Sequence, residues 1–362
     1  MPQGGLMKVE PVRVGGVTIE EIDLRSLNDE MITKYNTFSN LLRAESNPED
    51  PPIPVEMTIA QLRNIPEFVV VSEHWALNED GDIVARAQGG FLSTDENNTH
   101  LVDAGVAVLP EYRRRGIGKH LLGTIVAFAE RENRTLLVAG TSERVPSGDA
   151  WCERIGAERG LSQHINRLDL AELDRALVDR WVEEGPGRAP GYSLLWLDEG
   201  PYPDDLLDQI VACHNIMNTA PRDDLQIEDF TITAQQVREW EKMSKASGGQ
   251  RWSIFIRHDA SDELVAFTET NYNPRLPKTA WQLATAVRPD HRGHALGKWM
   301  KAAMLQRLVA ERPELEDVRT GNADSNDAML GINKQLGFKH YIASTVWQVR
   351  VEKVRAYLDS SA

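Results

Sequence analysis

A twelve-residue phrase occurs twice in this chain, and the repeat restricts it to folds that can be built in tandem. Val108-Leu109-Pro110-Glu111-Tyr112-Arg113-Arg114-Arg115-Gly116-Ile117-Gly118-Lys119 returns 179 residues later as Val287-Arg288-Pro289-Asp290-His291-Arg292-Gly293-His294-Ala295-Leu296-Gly297-Lys298. The proline, one arginine, the last glycine and the lysine stay in step. Each copy follows an apolar, strand-like run and opens a run with apolar residues at helical spacing. A strand, a basic glycine-containing turn and a helix N-terminus make an anion cradle, because free N–H groups and the helix dipole both favour negative charge there. One fold used twice accounts for the repeat. The 362 residues of the chain suit two cores of about 180 residues each.

The bulk numbers narrow the partners. A net charge of −15 opposes binding to nucleic acid or an anionic membrane, both of which attract basic surfaces. Two cysteines, Cys152 and Cys213, cannot make a disulfide framework. Residues 1–10 have no apolar leader core, and no run approaches 18 apolar residues. The expectation is a soluble cytoplasmic protein.

Periodicity and turn residues give a coarse plan of two halves. In the first, 17–20 alternates as a strand, 31–44 reads as a helix, and 46–54, with four prolines, as a loop. Strands are expected at 68–77, 83–92 and 99–109, a helix after the first loop, a strand at 135–139 and a short helix at 151–155, with strand-like sequence on to 170. Residues 171–184 read as a connecting helix. Gly185-Pro186-Gly187-Arg188-Ala189-Pro190-Gly191 reads as a linker. The second half repeats the plan: a strand at 192–197, helices at 204–217 and 234–245, a hairpin over 252–271, a strand at 279–287, the second loop with its helix, a strand at 318–320, a helix at 327–336 and a closing strand at 341–351. The expected domains are 15–170 and 192–362, joined by 171–191.

The first loop lacks the third glycine of a dinucleotide fingerprint, and His120 stands where a P-loop needs Ser or Thr. Arg-x-x-Gly-x-Gly after a strand ending in Val-x-Pro resembles the acyl-CoA pyrophosphate loop of the GNAT superfamily of N-acetyltransferases. The tandem layout is similar to that of the mycothiol-synthase group, in which the C-terminal copy performs the chemistry. The resemblance implies an α/β fold with two tandem domains, each a splayed mixed sheet flanked by helices. It implies acetyl-CoA as acyl donor and no metal. The strand before each loop would bind the pantetheine arm and polarise the thioester carbonyl, through Val106, Ala107 and Val108 in the first copy and Thr285, Ala286 and Val287 in the second. The pyrophosphate would meet Arg113, Arg114, Arg115, Gly116, Ile117, Gly118 and Lys119, or Arg292, Gly293, His294, Ala295, Leu296 and Gly297. Three arginines beside two glycines serve little packing purpose, so the first loop is expected to bind. Ala295 replaces the first glycine of the second loop. Its Cβ narrows the approach and opposes positive φ, so a weaker second site is expected. His291 and His294 read as loop residues, since no Cys or carboxylate joins them at ligand spacing.

The family helix Asn-x6-Tyr-x3-Gly-Phe often supplies the acid that protonates the departing thiolate. Here Cys152 and Asn333 occupy the Tyr positions, and Asn326 matches the Asn. A thiol can deliver a proton and an amide cannot. Asn322 and Asn326 are candidate pantetheine contacts. Strand carboxylates Glu73, Asp103 and Glu269 are candidate bases, with Glu269 preferred because its neighbours look buried. The reading is an acetyl-CoA-dependent N-acetyltransferase acting on a small primary amine by direct attack on the thioester. Transfer of a longer acyl group and a non-catalytic acyl-CoA-binding protein are the alternatives.

Overall fold

The computed structural model describes residues 11–198 and 200–360. The segment 1–10, read above for a leader core, lies outside the described residues. In chain order the elements are β1 (Val12–Val14), β2 (Val17–Ile22), α1 (Asp29–Ser46), α2 (Val55–Arg63), β3 (Val69–Leu77), β4 (Ile83–Leu92), β5 (Leu101–Val108), α3 (Ile117–Arg131), β6 (Leu136–Ser142), α4 (Pro146–Arg154), β7 (Glu158–Asp169), α5 (Arg175–Arg188), β8 (Tyr192–Asp198), α6 (Leu207–Asn215), α7 (Ala234–Ala246), β9 (Gln250–His258), β10 (Glu263–Tyr272), β11 (Thr279–Val287), α8 (Leu296–Glu311), β12 (Asp317–Ala323), α9 (Asp327–Leu336), β13 (Lys339–Arg350) and α10 (Val351–Ser360).

Two compact units form, and their ends depart from the halves expected above. The first holds residues up to Gly160, a short piece Leu225–Glu228, and the chain from Thr345 onward. The second holds Leu161–Asp224 and Asp229–Ser344. Each unit therefore closes its sheet with a strand from the other half of the sequence. Residues 345–350 of β13 belong with β6, whereas residues 163–169 of β7 pair antiparallel with β12. Sequence halves cannot reveal such an exchange, because both candidate partners of a closing strand share the same apolar alternation.

In the first unit the strands run β1-β2-β3-β4-β5-β6, antiparallel except for the parallel pair β5 and β6. Helix α3 turns Ile117, Leu121, Leu122, Ile125 and Phe128 into the core against β3, β4 and β5. In the second unit the order is β7-β12-β11-β10-β9-β8, with β11 and β12 the parallel pair. Alternate residues of β9 feed two cores on opposite faces of this sheet. Trp252, Ile254 and Ile256 pack with α8, whereas Phe255 packs with Phe267 and the buried residues of α6.

Three elements differ from the sequence expectation. The Gly185-Pro186-Gly187 segment is not a loop, because α5 runs through it to Arg188. Gly185 is buried against the Trp299 ring, where an added Cβ would lie 2.4 Å from the ring. That close approach to α8 holds the turn in helix despite its composition. Helix α2 follows the proline-rich segment, and α10 replaces the expected strand end at Val351.

Candidate active site

In both units the parallel pair separates soon after it forms. β5 pairs with β6 only over Leu101–Asp103, and β11 pairs with β12 only over Thr279–Trp281. Among the described residues, one edge of the strand before each loop has no strand partner beyond Asp103 and Trp281. Val106, Ala107 and Val108, and Thr285, Ala286 and Val287, lie on these freed edges.

The two loops share one backbone path with different residues. Each contains two left-handed positions. In the first loop they are Arg114 (φ 64°) and Gly116 (φ 83°); in the second they are Gly293 (φ 88°) and Ala295 (φ 57°). Each copy has kept glycine at one position and lost it at the other. Ala295 does not avoid positive φ: it adopts it and caps α8 there. Left-handed geometry costs a non-glycine residue roughly 1–2 kcal/mol, and glycine's extra unfolded-state freedom offsets part of that. Ala295→Gly is therefore expected to stabilise the chain by about 0.5–1 kcal/mol, read as a rise in melting temperature. An unchanged or lower melting temperature would count against strain at this residue.

The repeated arginine is a clip. Arg113 Nε donates to the Val108 carbonyl at 2.9 Å, and its two terminal nitrogens grip Glu45 at 2.8 and 2.6 Å. Arg292 Nε donates to the Val287 carbonyl at 3.0 Å and Nη2 to Thr219 Oγ1 at 2.8 Å. Both side chains fold the loop back onto its own strand, so the loop's anion capacity rests on backbone. Arg115 bends to the Glu111 carbonyl and lies over the Tyr112 ring. Lys119 Nζ stands 5.9 Å from the Tyr357 ring centroid. His291 has both ring nitrogens engaged, one by Tyr192 Oη at 2.9 Å and one by Arg288 at 2.5 Å, and the His294 ring packs beside Tyr192.

Both loops border open space: a shallower cavity of about 520 Å³ meets the first loop at Gly116, Lys119 and His120. A cavity of about 750 Å³ opens in the second unit, lined by Thr285, Ala286, Val287, Arg292, Gly293, Ala295, Leu296, Gly297 and Asn326, with α5 and residues 216–221 forming other walls. His294 and Asn322 are not on its wall. Ile332 borders it beside Gly297. Counting back five from the closing glycine of each copy, the equivalent of Ile332 is Trp151. The Trp151 ring packs over Gly118, 3.8 Å from where a Cβ would sit there, and beside Val108. The first loop is also covered from outside, where Gly15 of the β1–β2 turn meets the Arg115 carbonyl so closely that a Cβ would lie at 2.5 Å.

The candidate acids and bases differ between the copies. Cys152 is buried in α4, and burial pushes its thiol up to about 11, which makes it a poor proton donor. Glu73 has both oxygens held by Arg86, at 2.8 and 2.6 Å, and receives Trp75 Nε1 at 2.8 Å. Asp103 is exposed on β5. Glu269 is buried on β10. Its Oε1 accepts from Tyr202 Oη and, at 3.2 Å, from Ser253 Oγ. Among the described residues no group hydrogen-bonds Oε2, and this atom is not sealed from solvent. Glu269 thus keeps one oxygen open. Ala85 partners Val108 as Ala266 partners Val287, and three residues along each strand stand Gln88 and Glu269. The first copy carries an amide where the second carries a carboxylate. β11 also holds one extra residue between Gln282 and Thr285 opposite Thr268–Thr270, a bulge beside Glu269, whereas β5 pairs with β4 in unbroken register. Gln282 Nε2 buttresses the bulge by donating to Thr268 Oγ1 at 2.9 Å and to the Glu269 carbonyl at 2.7 Å.

Asn333 is buried in α9. Its Nδ2 donates to Asn322 Oδ1 at 2.8 Å, and its Oδ1 is sealed without a partner. Asn326 caps α9, accepting from the Met329 amide at 3.3 Å. Sequence reading missed Tyr202, Ser253 and His214 around Glu269, since they lie 67, 16 and 55 residues away and share no motif with it.

A split parallel pair, a loop with two left-handed residues and a helix opening from it define the GNAT fold, here in tandem. Residues 36–156 match the acetyltransferase (GNAT) family model. A tandem GNAT protein from the clavulanic acid biosynthesis pathway, solved without AcCoA, superposes with a TM-score of 0.75 at 24% identity, over 92% of this chain and 98% of that one. A GCN5-related N-acetyltransferase from Sphaerobacter thermophilus superposes with a TM-score of 0.61 at 11% identity, over 92% and 96%. No curated protein matches in sequence. The family match thus covers residues 36–156, and the chain as a whole shares its fold with a tandem GNAT protein. No helix among the described residues is long and apolar enough to cross a membrane.

Proposed function

We propose that the chain is an acetyl-CoA-dependent N-acetyltransferase whose second unit transfers the acetyl group to a small primary amine. The observation that carries this is the coincidence, in one unit, of an open cavity at the loop and a buried carboxylate with one free oxygen. The residues fit acyl-CoA. The left-handed loop and the first turn of α8 present backbone N–H groups to a diphosphate. Gly297 keeps the wall thin beside Ile332. The donor supplies a thioester carbonyl, and the freed edge of β11 at Thr285–Val287 polarises it through backbone N–H groups. Glu269 Oε2 takes the proton of the attacking amine while Tyr202 and Ser253 hold Oε1. Asn333 and Asn322 can accept or donate hydrogen bonds near the far end of β12, but neither delivers a proton. The first unit, with Trp151 over its loop and Gln88 in place of the carboxylate, serves as scaffold.

The test is thiol release from acetyl-CoA in the presence of glucosamine, kanamycin or a short peptide with a free N-terminus. Amine-dependent release that follows Michaelis–Menten behaviour is the expected result. Acetyl-CoA binding by calorimetry with no release for any primary amine would make the protein an acyl-CoA binder and overturn the proposal.

A further inference from the structure

We infer that His214 is the positioning residue of Glu269: its Nε2–H closes onto Oε1 when the cavity fills and so turns Oε2 toward the amine. This rests on the reading of Glu269 as base. His214 lies in the last turn of α6, its ring between Phe267, 4.9 Å away, and Tyr202, 6.4 Å away. Nε2 is 3.8 Å from Glu269 Oε1, too far for a hydrogen bond. It is also sealed from solvent with no partner. Folded chains rarely leave a buried ring nitrogen unpaired, and each exception calls for a physical reason. The orphan is not isolated. Arg251 and Asn271 face each other across β9 and β10, the next outward pair after Ser253 and Glu269, and Arg251 Nε and Asn271 Oδ1 are sealed and unpaired as well. Side chains alternate along a strand, so all four lie on the face that carries Glu269.

The same helix reaches the cavity. α6 continues directly into the 3-10 turn Ile216–Thr219, and Ile216, Met217 and Thr219 line the cavity wall. Occupancy there bears on the turn that carries His214, and a shift of about 1 Å brings Nε2 within hydrogen-bond range. Three donors then converge on Oε1, from Tyr202, Ser253 and His214. The groups facing His214 are Glu269 of β10, Arg251 of β9 and Glu241 of α7, with the Tyr202 hydroxyl beside it. Burial keeps the imidazole neutral at neutral pH, against the pull of Glu269 and with the help of Arg251. Its single proton therefore has to sit on Nε2 for this role.

The full chain is compared with His214→Gln, which keeps a donor, and His214→Leu, which does not. The assay uses acetyl-CoA and the fastest of glucosamine, kanamycin and the peptide. His214→Leu is expected to lower kcat about tenfold with KM for acetyl-CoA unchanged, and to move the acid limb of kcat upward, because in the filled site a donor to the carboxylate is gone. His214→Gln should recover most of both. Nitrogen-15 spectra of the CoA-saturated chain should show the Nε2–H tautomer. An Nδ1–H tautomer, or full rate with an unmoved acid limb in His214→Leu, overturns the inference. Loss of rate in Glu269→Gln alongside full rate in His214→Leu sinks His214 alone. Full rate in Glu269→Gln removes the base itself, and the inference with it.

Discussion

Glu269→Gln is expected to lower turnover about 100- to 1,000-fold while leaving acetyl-CoA affinity unchanged. The substitution keeps the side chain's size and an oxygen for Tyr202 and Ser253 to hold, so the buried cluster of Tyr202, Ser253 and Glu269 survives. It removes only the oxygen that can take a proton. The pH profile carries the sharper signature. A carboxylate base works above its own pKa and loses activity as pH falls through it, so the variant's residual rate should have no acid limb. Calorimetry with acetyl-CoA and a pH series of kcat/KM check the two halves. A full rate with an intact acid limb would transfer the role to a bound water or to the amine's own ionisation.

The second large effect concerns which copy binds. Wild-type protein is expected to take up one equivalent of acetyl-CoA, in the second unit. Ile332→Trp places on α9 the ring that α4 carries as Trp151, and it should lower affinity at least about 100-fold, because an indole on the Gly297 wall fills space the donor requires. Circular dichroism should remain that of the wild type, since Ile332 borders the cavity and the ring has somewhere to go. Trp151→Ile is the reciprocal variant and should open room over Gly118. Two equal sites in the wild type, or tight binding by Ile332→Trp, would show that Trp151 is no barrier.

Much of the fold was legible because its signals are local. The hairpin of β9 and β10 announces itself through alternation on both sides of Asp259-Ala260-Ser261-Asp262, and α3 through Ile117, Leu121, Leu122 and Ile125 at helical spacing. Where the reading failed, a distant contact overrode a local preference. Gly185-Pro186-Gly187 would be a loop in isolation, but the Trp299 ring needs a glycine at that spot and the helix continues. The loop arginines read as phosphate ligands by composition. Glu45 and the strand carbonyls claim Arg113 and Arg292 instead, and nothing near either arginine in sequence advertises those partners.

The sequence by itself determined that one strand–loop–helix unit is used twice and that the helix before each closing strand stops at a glycine, Gly156 and Gly337. It also singled out Glu269 among the strand carboxylates. These follow from period, turn chemistry and spacing, which act over a few residues. Only the tertiary structure laid Trp151 over Gly118 in the first unit and Ile332 beside Gly297 in the second, because each contact brings a side chain from another element onto a glycine. Only it showed that Glu269 has one oxygen held and one free, since Tyr202 and Ser253 bond Oε1 from separate stretches of chain. Space and hydrogen-bond satisfaction are properties of packed neighbours, and sequence order does not record which neighbours those are.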